Sequence, residues 1–328
     1  MERLPTDEVR PGVWAIGMPM PGPLERTYVY ALEAGDGVLL IDSGLDSDGA
    51  FETLERCLES FGRRCADILG VILTHGHPDH YGLANAIRAH SGAWIGLHPE
   101  DARYTAGSRD GSRLEGWLYE LGFSGADADA ILESLSRWKS PDLVPDRYLL
   151  DAAVIEIGNR RLEVIHTPGH SPGHVCVVDH EDRVVFTGDH VLAQTTPNVS
   201  VRPDETGSPL DDYLTSLRRM LPLEGFTALP GHEERVAVAP RASEILVHHE
   251  EQLDSARSIM RQGSETVEAI AAEMPWTRQW DALGFADRFL AAGETLAHLH
   301  VLERRGDAER YADSPQRWRL AIDEGAAA

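Results

Sequence analysis

Short apolar runs separated by Gly, Asp and Asn open the chain. Residues 13–18 (VWAIGM), 27–35 (TYVYALEAG) and 37–44 (GVLLIDSG) read as consecutive hairpin-linked strands, the last ending in a tight turn at Asp42, Ser43 and Gly44. Residues 50–61 place apolar side chains at helical spacing, and residues 68–73 form a continuous apolar run of strand length. A helix is expected over residues 79–90, with Asp79 near its N-terminus, where negative charge is favoured. Another strand follows over residues 93–98. Between residues 100 and 146 the pattern weakens into helical pieces such as 127–138, broken at Pro141 and Pro145, and reads as an insertion or cover.

A second strand series follows at residues 154–159, 161–167, 174–179 and 183–189, then a helix over 210–221 and a strand over 226–229. This order predicts two similar α/β halves packed sheet to sheet. Beyond Pro240 the periodicity becomes helical, over residues 242–262, 266–274 and 285–304, and residues 305–320 suit a small hairpin. Three helices and a hairpin describe a winged-helix module. The expected domains are therefore residues 1–239 and 240–328.

Charge narrows the partners. The 328 residues carry 54 acidic against 30 basic side chains, a formal net charge of -24, which repels phosphate backbones and anionic lipid. Nucleic acid and membrane are disfavoured, and a small molecule is the expected partner. Nearly all basic residues are arginine, Lys139 being the single lysine. The three cysteines, Cys57, Cys65 and Cys176, form no C-x-x-C pair; Cys57 and Cys176 fall on predicted core positions. The N-terminus lacks a basic segment followed by an apolar one, and no run of 18 apolar residues occurs, so a cytoplasmic location is expected.

The chemistry concentrates in residues 71–83, VILTHGHPDHYGL, where an apolar strand delivers His75, His77, Asp79 and His80 to the start of a helix. So many polar groups are costly in a core unless satisfied, and their natural use is to hold metal. Further candidates end later strands: His170 in HTPGH, Asp189 in VVFTGD and His232 in FTALPGH. Gly76, Pro78, Gly169, Gly188 and Gly231 beside them suit sharp turns and close backbone approach.

In this order THGHPDH, TPGH, TGD and PGH resemble the metallo-β-lactamase superfamily, over roughly residues 10–238. The resemblance implies an αββα sandwich with a binuclear site at one edge. His75, His77 and His170 would hold the first metal, Asp79, His80 and His232 the second, and Asp189 would bridge them. Asp42 matches the aspartate that braces the ligand loop. SETVEAIAAEM and AAGETLAHLHVLERRGDAER resemble the winged-helix extension of one branch, which includes hydrolases of thioester-like substrates and a mitochondrial endoribonuclease.

Departures within the superfamily direct the reading. Penicillin-hydrolysing relatives place Cys or Ser where this chain has Asp189, and flavodiiron relatives place an acidic residue where it has His77; both point away from those activities. There is no room for the long insertion of the branch that processes messenger RNA. The C-terminal helices with which glyoxalase II recognises glutathione are replaced by the winged helix.

The expected function is hydrolysis of a small acyl ester, thioester or lactone by a hydroxide bridging two zinc ions, with iron or manganese as alternative metals. Asp189 would fix the metal separation, and Asp79 would accept or relay a proton while remaining a ligand. A metal-dependent endoribonuclease and a non-catalytic metal-binding protein are the alternatives. His174 is a candidate to support the ligands and His190 a candidate to face substrate, each weighed against packing. His166, His248, His249, His298 and His300 read as structural or solvated, and Tyr213 as core. Arg304, Arg305, Arg310, Arg317 and Arg319 could form a basic wing, but from residue 241 onward ten Arg face sixteen Asp and Glu. The module is therefore expected to act as a lid or wall of the pocket, or as a homodimer contact.

Overall fold

The structure is a computed structural model and describes residues 6–21, 25–106, 112–136, 141–203 and 207–321. It divides into two compact units. The first comprises residues 1–108, 140–197 and 216–243, the second residues 109–139, 198–215 and 244–328.

Two sheets build the first unit. One holds β1 (Thr6–Arg10), β2 (Val13–Pro19), β3 (Arg26–Ala34), β4 (Gly37–Ile41), β5 (Ile68–Ile72), β6 (Trp94–Leu97) and β7 (Arg147–Tyr148), neighbours in that order. Pairing is antiparallel as far as β4 and parallel from β4 to β7. The other sheet has the order β13-β12-β11-β10-β9-β8, from β8 (Val154–Ile157), β9 (Arg160–His166), β10 (Val175–Asp179), β11 (Val184–Gly188), β12 (Thr227–Pro230) and β13 (Val236–Ala237). Its β11–β12 pair is parallel and the rest antiparallel.

Side-chain alternation explains the layering. Along β4, Leu39 and Ile41 join Leu162, Val164, Val177 and Phe186 in a core between the sheets. Val38 and Leu40 point the other way, into a core shared with helices α1 (Ala50–Ser60) and α3 (Ala84–Ser91). Because β4 is buried on both faces, it reads as an unbroken apolar run. Helix α1 buries Ala50, Leu54, Cys57 and Leu58, one stripe at helical spacing. All three cysteines are free and buried.

The expected helix over residues 79–90 is divided between α2 (Pro78–Tyr81) and α3. The break comes at Leu83, whose N–H donates to the Gly44 carbonyl at 3.2 Å instead of continuing the helix; Gly82 beside it allows this approach, since a Cβ there would lie 2.4 Å from the Asp46 nitrogen. The chain then runs into α4 (Pro99–Thr105).

The second unit contains α5 (Ser112–Leu121) and α6 (Ala126–Ser136). Trp138 and Lys139 lie outside the described residues. Helices α7 (Pro209–Met220) and α8 (Val238–Arg261) contribute residues to both units. Helix α9 (Val267–Glu273), α10 (Phe285–Arg305) and the hairpin β14 (Ala308–Asp313) with β15 (Gln316–Leu320) complete the chain. Pro240 falls inside the first turn of α8, where a missing N–H costs no helical hydrogen bond. Among the described residues no helix is long and apolar enough to cross a membrane.

Candidate metal centre

Parallel pairing carries the chemistry to one edge. The β4–β5 pair ends with Ile41 opposite Ile72, just before Asp42 on one strand and the turn carrying Thr74 and His75 on the other, and the β11–β12 pair ends with Gly188 opposite Pro230, just before Asp189 and His232. The Gly231 N–H donates to the Gly188 carbonyl at 2.8 Å, which locks the second pair of turns together. His77 precedes α2, whose first residue is Pro78, and Asp79 and His80 follow in its only turn.

The side chains converge as two overlapping clusters. His75 Nε2 and His170 Nε2 each lie 2.9 Å from His77 Nδ1. His232 Nε2 lies 3.1 Å and His80 Nε2 3.5 Å from Asp79 Oδ2. Asp189 reaches both clusters: Oδ1 is 3.4 Å from His80 Nε2, and Oδ2 is 3.5 Å from His170 Nε2 and 3.6 Å from His232 Nε2. Three groups, His75/His77/His170, His75/His80/Asp189 and Asp79/His80/His232, each hold their donor atoms within 4.8 Å of one another.

Hydrogen bonds fix which ring nitrogen faces inward. Asp42 accepts the Thr74 N–H on Oδ1 at 2.7 Å, and on Oδ2 the Thr74 hydroxyl at 2.9 Å and His80 Nδ1–H at 2.8 Å. The Thr74 hydroxyl, its proton given to Asp42, accepts His75 Nδ1–H at 3.0 Å. His232 Nδ1–H donates to the Arg26 carbonyl at 3.0 Å. In all three rings Nε2 is thereby the nitrogen turned toward the centre. Asp42 itself has φ 62°, a left-handed conformation that its short polar side chain tolerates.

Further groups hold the frame. His174 is fully buried, with Nδ1 2.8 Å from the Thr167 hydroxyl and Nε2 accepting the Asp189 N–H at 3.2 Å. His190 is fully buried, its ring 5.9 Å from that of His174. His166 stacks on His98 with centroids 4.0 Å apart. Gly231 has no room for a side chain, since a Cβ there would lie 2.5 Å from His80 Cε1 and 2.9 Å from Asp189 Oδ1.

Electrostatics match a cation-binding role. Burial, reinforced by the neighbouring imidazoles of His80, His77 and His170, pushes His75 well below its ordinary value, so the ring is neutral and able to ligate. Burial would also lower His80, but Asp79, Asp189 and Asp42 outweigh it and lift the ring to about 10. Burial alone would raise Asp79; His80 and His232 overcome it and hold the carboxyl well below the usual range. The clustered carboxylates therefore call for positive charge at their centre. Two buried atoms aimed there, His80 Nε2 and Asp189 Oδ1, have no hydrogen-bond partner. Such orphans are costly in a folded protein, and a metal ion coordinated by N and O donors satisfies both.

Sequence reasoning passed over Thr74, Thr167 and Asp101. Each threonine hydroxyl contacts an imidazole Nδ1, and Asp101 accepts the Gly76 N–H at 2.7 Å. A Thr immediately before a candidate ligand histidine was the available signal for Thr74; Asp101 looked like an ordinary acidic residue in a first helical turn.

Comparison with known proteins agrees with this geometry. The chain is 28% identical over 312 residues to a probable metallo-hydrolase of Bacillus subtilis, YqjP, covering 89% of this chain and 92% of the relative. It is 28% identical over 187 residues to the hydroxyacylglutathione hydrolase GloC of Haemophilus influenzae, covering 54% of this chain and 74% of the relative. A metallo-beta-lactamase family protein from Thermus thermophilus superposes with a TM-score of 0.80 at 28% identity, covering 95% of this chain and 100% of that one. The family model described as the metallo-beta-lactamase superfamily matches residues 22–232. The chain therefore belongs to the metallo-beta-lactamase superfamily, a superfamily of metal-dependent hydrolases.

Proposed function

We propose that this protein is a binuclear zinc hydrolase of a small acyl ester, thioester or lactone. The observation that carries the reading is the reach of Asp189, whose two oxygens lie 3.4–3.6 Å from histidines of both donor clusters. In this reading His75, His77 and His170 would hold one ion and Asp79, His80 and His232 the other, with Asp189 serving both donor sets. Two ions bound there would supply Lewis acidity toward water and toward an acyl carbonyl. Asp79 keeps some solvent access, with 15% of its side chain exposed, and would accept or relay a proton while remaining a ligand. His174 holds the Asp189 backbone in place, and Asp42 and Thr74 orient His80 and His75. The hydrolase relative named for hydroxyacylglutathione, a thioester, supports the substrate class. Asp at position 189, where penicillin-hydrolysing relatives place Cys or Ser, weighs against a lactam.

The C-terminal helices α8, α9 and α10 with hairpin β14–β15 are proposed as a winged-helix module without a nucleic-acid role. Each arginine that would form a basic wing is ion-paired: Arg317 with Glu265, Arg319 with Glu309, Arg310 with Asp313, Arg305 with Glu250 and Arg304 with Asp211. That neutralisation disfavours the endoribonuclease alternative. The buried free cysteines are consistent with a cytoplasmic location.

A panel of acyl thioesters, lactones, β-lactams and RNA, offered to the wild type and to Asp189→Ala, tests the reading. Turnover of thioester or lactone that Asp189→Ala abolishes is expected. Salt-sensitive RNA cleavage without acyl hydrolysis would overturn it.

A further inference from the structure

Asp101 lies in the first turn of α4 and is 1% exposed. Its carboxylate collects donors from two separate loops. Oδ2 accepts the Gly76 N–H at 2.7 Å and the Ser171 hydroxyl at 2.7 Å, and Oδ1 accepts the Gly173 N–H at 2.6 Å. Gly76 stands between His75 and His77, and Ser171 follows His170. Both loops are moulded closely to this residue. A Cβ on Gly173 would lie 2.5 Å from the Asp101 nitrogen and 2.8 Å from its Cγ, and one on Gly76 would lie 3.3 Å from the Asp101 Cβ.

We infer that Asp101 is the positioning residue of one half of the centre, tying the His75–His77 loop to the His170 loop so that three imidazoles stay converged before and after a cation binds. This rests on the reading of those three histidines as a metal half-site. An ionised carboxylate only accepts hydrogen bonds, which suits three converging donors. Asparagine in the same pose would aim its NH2 group at one of them, leaving a buried donor facing a donor. The other donor set is braced differently, with His80 on Asp42 and His232 on the Arg26 carbonyl. The effect of Asp101 is therefore local to one ion.

Zinc titration of the full-length, metal-stripped chain against a chromophoric chelator tests this, using wild type, Asp101→Asn, Ser171→Ala and His232→Ala, with thermal unfolding of the metal-free proteins alongside. The wild type is expected to bind two equivalents. Asp101→Asn should keep one at wild-type affinity and bind the other about 10–100-fold more weakly. Ser171→Ala should weaken one equivalent to a smaller degree, and Asp101→Asn combined with His232→Ala should weaken both. If Asp101→Asn does not fold, Ser171→Ala decides by the same criterion. Unchanged affinity for both ions, or equal weakening of both, would overturn the inference while leaving the half-site reading intact. A wild type that binds no metal would overturn that reading and the inference with it.

Discussion

Asp42 Oδ2 lies 2.8 Å from His80 Nδ1, with both side chains buried and Asp42 in a left-handed backbone conformation. The pairing holds the ring and turns Nε2 toward the other donors. Asn tolerates positive φ, so Asp42→Asn removes the charge and one acceptor with little backbone cost. Zinc affinity of Asp42→Asn should fall about 10–100-fold, read by competition with a chelator, while its circular dichroism matches the wild type. Wild-type affinity would show that the pair does not orient the ligand.

Close approach gives a second prediction. Gly231→Ala would put a methyl group 2.5 Å from His80 Cε1 and 2.9 Å from Asp189 Oδ1, against a turn held by backbone hydrogen bonds to Gly188 and Tyr28. Overpacking there should cost about 1–3 kcal/mol and displace donors from both clusters, so activity should fall further than stability. Gly92→Ala is the control: its φ is 75°, but nothing lies within 4 Å of the new Cβ. It should lose about 1 kcal/mol of stability and keep full activity. Equal activity in the two variants would refute the crowding argument.

The second unit supplies a pH dependence. Burial raises Glu294 from its ordinary 4.5 to about 7, against the opposing hydrogen bond from Asn198 Nδ2 at 2.9 Å. Between those values the folded carboxyl binds more protons than the unfolded one, so stability falls as pH rises. The penalty is absent below the unfolded value and grows until the pH passes about 7; at pH 8 it is on the order of 3 kcal/mol. Glu294→Gln keeps an acceptor for Asn198 and cannot ionise. Its melting temperature should exceed that of the wild type at pH 8, with the gap closing toward pH 5. A gap independent of pH would contradict this assignment.

The sequence made the centre legible because its donors are local or follow strand ends. His75, His77, Asp79 and His80 fall within six residues, and His170, Asp189 and His232 each follow an apolar run. The supports were harder to find because their partners are remote in sequence. Asp101 binds backbone and hydroxyl groups 25, 70 and 72 residues away, and nothing near it in the chain marks that role. Strands β7 and β13 escaped because two residues cannot show a period, and β1 because Val9 is its only buried residue among polar ones. The helix expected over residues 79–90 kept its periodicity on both sides of the break, which comes where the Leu83 N–H turns to the carbonyl of Gly44, a partner remote in sequence. Helix α5 lay in the segment where apolar spacing is weakest, and α8 began earlier than expected because Pro240 suits a first turn as well as a boundary.

The proposed centre uses seven side chains to hold two ions that the reaction requires, and metal content measured together with activity tests that proposal. Purified wild type should contain two zinc ions per chain. Prolonged chelation should remove both together with acyl hydrolysis, and added zinc should restore both. A protein holding less than one metal per chain, whose hydrolysis is indifferent to chelation, would contradict the account.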